Sequence, residues 1–291
     1  MTGARVGLLP DGRRLHLNHG PIDLIIEAFG AADAVRLAYT RATARFDGLL
    51  AELVAELPAL RSADDMPVCG PVAQTMAQAV APYRADFITP MAAVAGAVAD
   101  AVMAALVGGG ITRAYVNNGG DIALHLTPGQ SLTAAIAAKA AWRAGAPDRV
   151  TIRYSDRVRG IATSGWRGRS FSLGIADAVT VLARTAAEAD AAATMIANAV
   201  DLPGHAGVTR CPADQIKADS DLGARLVTVA VADLDPRDVA KALDRGLAAA
   251  RRYHALGLIE GAALFLQGDA RTYGALPVVT RNSSTPEPCL G

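Results

Sequence analysis

The sequence predicts an α+β protein in which helices cover one side of an antiparallel sheet, and three observations carry that prediction. Sheet-like and helix-like blocks alternate along the chain, and turn signals such as Asn18-His-Gly-Pro21 join strand segments directly into hairpins. Helix starts are marked at Thr89-Pro90, at the T-x-x-E pattern Thr185-Ala-Ala-Glu188 and at Asp235-Pro236. The 291 residues, 52% hydrophobic and 19% charged, suffice for a sizeable core. No linker or low-complexity stretch divides them, so a single domain is expected over 1–280, with an internal boundary near 110 and a loose tail at 281–291.

In chain order, residues 13–29 alternate as a hairpin, and an amphipathic helix follows from about Ala31 to Ala59 with a break near Phe46-Asp-Gly48. Helices are expected near 71–83 and 90–107. The second is apolar apart from Asp100, but Met91–Val107 is short for a membrane span and carries a charge at its centre, so it reads as a buried helix stopped by Gly108-Gly-Gly110. Strands are expected at about 112–117, 120–126, 150–155, 158–163 and 170–174, with Thr180 in a further one. The capping box at Thr185 opens a helix, after which 201–207 and 210–213 read as loops. Asp219-Ser-Asp-Leu-Gly223 is an acidic turn, formed either by local side-chain bonding or as a lid. A strand at 226–231, a helix from Pro236 to about His254 and a hairpin near 258–267 complete the pattern.

Three short stretches carry the candidate chemistry. Val116-Asn-Asn-Gly-Gly-Asp121 is a polar glycine turn; Asn118, Gly119 and Gly120 allow close approach of a ligand, and Asp121 can accept from a ribose-type hydroxyl. In Ala162-Thr-Ser-Gly165, Thr163, Ser164 and Gly165 either satisfy local backbone groups or face a phosphate. Asp190 and Thr194 stand at i and i+4 on one helix face, which suits a hard cation held by oxygen.

In this order, with the helix Val94-Ala-Gly-Ala-Val-Ala-Asp100 before them, these motifs resemble the ApbE-like superfamily, whose best-known members are Mg2+-dependent FAD:protein FMN transferases, and more closely its uncharacterised branch. The resemblance runs from about Gly20 to about Gln267. It implies two T-fold-like halves with the ligand between them. It also implies FAD or another flavin at Asn118–Asp121 and Thr163–Gly165, and Mg2+ at Asp190 and Thr194 with backbone carbonyls near Val94 and Ala95. Two departures stand out. The family's helix lysine is Ala95 here, and its histidine-bearing segment is replaced by Ser170–Asp177, which has no histidine. A cation for phosphate and a general acid/base are thus missing, which implies a flavin- or nucleotide-binding protein without standard FMN transfer. The alternatives are Mg2+-dependent FAD pyrophosphate cleavage or FMN transfer, or another reaction in the same cleft with Asp100, His125 or Asp121 as acid or base.

Composition narrows the partners. Zero formal net charge gives no general attraction to nucleic acid or anionic lipid. Cys69, Cys211 and Cys289 show neither C-x-x-C spacing nor a disulfide framework, and the first residues lack a signal-peptide pattern, so the expected setting is the cytoplasm. A small nucleotide-like ligand is the expected partner. The apolar face of the helix from Ala31 serves either the core or a second copy of the chain.

Overall fold

The computed structural model describes residues 3–136 and 148–274. Nine strands form one sheet: β1 (Arg5–Leu8), β2 (Leu15–His19), β3 (Ile22–Gly30), β4 (Ile111–Asn118), β5 (Asp121–Leu126), β8 (Gly160–Ser164), β9 (Ala178–Ala183), β12 (Gly261–Leu266) and β13 (Asp269–Gly274), adjacent in that order. Every neighbouring pair is antiparallel. Strands β6 (Ser131–Ile136) and β7 (Asp148–Arg153) pair separately, as do β10 (Val208–Pro212) and β11 (Leu226–Val231). The helices are α1 (Ala32–Asp47), α2 (Leu49–Ala55), α3 (Leu57–Leu60), α4 (Pro71–Val80), α5 (Val94–Leu106), α6 (Ala186–Ala199), α7 (Ala213–Ile216) and α8 (Pro236–Ala255).

Period-two alternation sends side chains to two different cores. Leu24, Ile26, Val116, Val179, Val181 and Leu264 face the helices and join the larger one. Leu124, Leu126, Ile161, Leu182 and Phe265 face the other way and pack on Ile136, Val150 and Ile152. Helices therefore cover one face, as expected, and the β6–β7 hairpin covers part of the second.

The central helices α5 and α6 are rich in alanine because they pack closely. A side chain on Gly96 would run into the Ala186 carbonyl, so this glycine sets how near the two helices come. The break near Gly48 is present, dividing the expected long helix into α1, α2 and α3. Thr185 caps α6 by accepting from the Glu188 N–H at 3.1 Å, but Glu188 turns to Arg184 instead of closing the capping box.

Four local expectations are corrected. Residues 170–174 form no strand, because their backbone bonds go elsewhere: the Leu173 N–H to Asn198 Oδ1 at 3.0 Å, and the Ser172 carbonyl to the Thr228 N–H at 2.9 Å. The stretch read as a loop around Arg210 is β10, paired along β11. The last hairpin lies further on, since its turn is Gln267-Gly268, both with positive φ, and the earlier Gly257 only ends α8. Strands β1 and β6 lacked enough alternation to be read. The expected tail at 281–291 and Cys289 fall outside the described residues. Among the described residues no helix is long and apolar enough to cross a membrane.

Candidate functional site

The turn from β4 to β5 is built by its glycines, Gly119 at φ +67° and Gly120 at φ +117°. The Gly120 N–H donates to Asn117 Oδ1 at 2.8 Å, closing the turn. Asn118 is buried; its amide donates to the Ala95 carbonyl at 3.1 Å and its oxygen accepts from the Asp23 N–H at 3.5 Å, so it ties the turn to the start of α5. Asp121, the first residue of β5, accepts from the Thr163 N–H at the end of β8, 3.2 Å away. Gly165 passes so close to the Ala176 and Asp177 carbonyls that a side chain there has no room. From α6, Asp190 accepts from the Gly96 N–H at 3.0 Å, and Thr194 and Asn198 follow on the same face.

These pieces surround one cavity of about 480 Å³, within the usual size of small-molecule sites. Gly119, Asp121, Thr163, Ser164, Gly165, Asp190 and Thr194 all line it. The structure thus brings together three motifs spread over residues 116–194.

Burial sets the electrostatics. It raises the Asp190 carboxyl well above its ordinary value; the facing Asp121 raises it further, and the Gly96 and Ala95 N–H groups work against both. Burial likewise pushes Asp121 up to about 7, moderated by the Thr163 N–H and by Arg169. Arg169 is the one cation that acts on Asp121, and the charge that acts on Asp190 from the cavity is that of Asp121 itself. Among the described residues no three histidine, cysteine, aspartate or glutamate side chains converge on one point, so any metal there would draw on hydroxyl and backbone oxygens as well.

The two candidate catalytic residues are not brought to the cavity. Asp100 turns to α6, where its oxygens accept from the Ala186 N–H at 3.1 Å and the Ala187 N–H at 2.9 Å, capping the helix that carries Asp190. Burial raises it to about 6. His125 lies opposite Ala114, four residues along β5 from Asp121 and hence about 13 Å away at strand rise. Burial lowers its pKa. Gly120 and Asn118 shape the turn without lining the cavity. The other histidines are engaged elsewhere: His16 with Asp23 at 2.5 Å, His205 with Asp238 at 3.2 Å, His19 against Phe46 and His254 against Tyr273.

The cavity also has residues that sequence reasoning missed: Arg169, which packs on Gly119, and Arg61 and Lys217, which line it together with Asp219–Leu222, the acidic turn that the sequence offered as a lid. The one available signal was Arg167-Gly-Arg169 directly after the Ser164-Gly165 turn. Arg61 gives none, because the segment it meets is more than 150 residues away in sequence.

The family model described as AbpE bacteria matches residues 6–272. A UPF0280 protein of Methanococcoides burtonii is 38% identical over 130 residues, covering 42% of this chain and 49% of its own. Another, from Archaeoglobus fulgidus, is 37% identical over 113 residues, covering 39% and 45%. The chain thus spans about half the length of the curated relatives it matches. The apo form of the Pseudomonas stutzeri flavinyl transferase ApbE aligns over 93% of both chains at 13% identity, with a TM-score of 0.39. With nearly the whole chain matched, from β1 to β13, the protein belongs to the AbpE bacteria family and so to the ApbE-like superfamily.

Proposed function

We propose that the cavity binds a flavin or a closely related nucleotide together with Mg2+, without standard FMN transfer. One observation carries this reading: a single cavity holds the acidic pair Asp121 and Asp190, the Thr194 hydroxyl and the Arg169 guanidinium. The donor set fits Mg2+, being all oxygen, and a divalent cation would stabilise two carboxylates that burial holds above their ordinary pKa, Asp190 more so because of Asp121. Asp121, Asp190 and Thr194 would hold the ion, which supplies charge neutralisation at phosphate oxygens. Arg169 provides the positive charge that Ala95 lacks, and Ser164 offers a hydroxyl to a phosphate oxygen.

Among the described residues the cavity lacks the histidine that the family's transferases carry. None of the described histidines lines it, and Asp177, in the segment where the relatives' histidine is expected, spends its carboxylate on the Gln267 N–H at 2.6 Å and on Arg167 at 2.8 Å. A second reading, Mg2+-dependent cleavage of the FAD pyrophosphate or FMN transfer, is favoured by three cationic side chains on the cavity wall, Arg61, Arg169 and Lys217.

Titration of the protein with FAD, followed by flavin fluorescence with and without Mg2+ and repeated on Asp190→Ala, tests both. Mg2+-dependent binding lost in the variant supports the proposal. Release of FMN and AMP, or labelling of an acceptor protein with FMN, moves the conclusion to the second reading. If FAD binds under neither condition, the flavin assignment falls.

A further inference from the structure

The segment from Lys217 to Arg225 closes the cavity from outside the main sheet, and three side-chain contacts tie it to the body of the protein. Asp219 pairs with Arg61 at 2.9 Å, Asp221 accepts from the buried Thr89 hydroxyl at 2.5 Å, and the Arg225 guanidinium stacks 3.3 Å from the Phe87 ring centre. Arg61, Thr89 and Phe87 themselves line the cavity. The segment is therefore held by the same groups that an entering ligand meets.

Of the three contacts, the first is unlike the others. Thr89 is almost fully buried and anchors Asp221 firmly, whereas the Asp219 side chain is 58% exposed. Asp219 also reaches Lys217 at 3.8 Å, so one carboxylate occupies both cations on this side of the cavity. An exposed ion pair of this kind contributes little to stability. A phosphate group presents the same charge and the same acceptor geometry to a guanidinium, with more oxygens.

We propose that Arg61 and Lys217 form a second phosphate-binding element of the cavity, beside the one at Arg169, and that Asp219 masks it until a phosphate group takes the place of its carboxylate. The inference rests on the reading that the ligand bears phosphate. It assigns the ligand two anionic positions, one at Arg169 and one at Arg61 and Lys217, as a pyrophosphate or a diphosphate ester requires. It also makes Asp219 a specificity device, since an uncharged ligand has nothing to displace it with.

The test uses inorganic pyrophosphate as the probe, with EDTA present so that the Mg2+ assignment does not enter, and isothermal titration on four proteins: the parent, Asp219→Asn, Arg61→Ala and the double variant. Asp219→Asn is expected to bind pyrophosphate roughly fivefold more tightly than the parent, the factor corresponding to one exposed ion pair given up. Arg61→Ala is expected to bind more weakly, and in its background Asp219→Asn should bring a smaller gain, since the carboxylate then masks only Lys217. A gain of equal size with and without Arg61 overturns masking in favour of general charge removal, and no gain at all overturns it outright. FAD binding measured in parallel, with Mg2+ and without EDTA, separates the failures. If FAD binds and pyrophosphate does not respond to these variants, this inference alone is wrong; if neither ligand binds the parent, the nucleotide reading falls and takes this one with it.

Discussion

Gly119 has no side chain in the place where the Arg169 guanidinium lies, so a glycine in the β4–β5 turn makes room for the cation of the cavity wall. Gly119 also holds φ at +67°, a conformation that side chains rarely adopt. Gly119→Ala is therefore expected to strain the turn, at a cost of about 1 kcal/mol, and to push Arg169 out of place. Arg169→Ala leaves the turn relaxed and removes only the charge. Both variants should lose roughly tenfold or more in affinity for an anionic ligand, while only Gly119→Ala lowers the melting temperature. Calorimetric titration and thermal unfolding check the two effects separately.

Asp190 and Asp121 repel each other at the cavity floor, and burial already disfavours both charges. Without metal, Asp190→Asn should raise stability near pH 8, by on the order of 1–3 kcal/mol, because it removes a carboxyl that folding must either bury charged or protonate against its ordinary pKa. Adding Mg2+ should stabilise the parent and leave the variant unchanged, as binding to the native state alone requires. Denaturant unfolding with and without Mg2+ measures this. A stabilisation of both proteins to the same extent would place the ion elsewhere.

Asp100 titrates near 6 in the folded protein against 3.8 as its ordinary value. Between these values the folded state holds the proton more strongly than the unfolded chain. The contribution of this group is therefore fully present below about pH 4 and is lost as pH rises through 6. The loss is up to about 3 kcal/mol. Asp121 and Asp190 shift in the same direction and add to this fall. The difference between the parent and Asp100→Asn isolates Asp100: the variant should gain on the parent between pH 4 and pH 7 in urea unfolding.

Gly96 serves two purposes at one atom spacing. Its missing side chain admits the Ala186 carbonyl, and its N–H holds Asp190. Gly96→Ala should destabilise by about 1–3 kcal/mol through overpacking and weaken the response to Mg2+, whereas Ala97→Gly, one residue on, should cost only about 1 kcal/mol and leave that response intact.

His125 provides the control. At about 13 Å from Asp121 along the strand, it is too far to exchange a proton with a ligand in the cavity. His125→Ala should leave FAD affinity and its Mg2+ dependence within twofold of the parent. A larger change in the fluorescence titration would reopen its role.

By itself the sequence determined what depends on neighbours in the chain. Hairpin turns, helix caps and the break at Gly48 follow from local backbone preferences, and so do the glycine turn at 119–120 and the shared helix face of Asp190 and Thr194. The main sheet's antiparallel character followed from short turns between alternating segments. Strands such as β6 and β10 were not legible, because alanine, cysteine and proline carry little strand preference and their pairing decides the conformation. Tertiary structure alone decided which charges meet. It turned Asp100 from the cavity to the first N–H groups of α6, since those orphan donors need an acceptor. It also brought Arg169, Arg61 and Lys217 to a site whose helix lacks the expected lysine. A cation's position is set by packing and long-range Coulomb attraction, neither of which leaves a periodic trace in the chain.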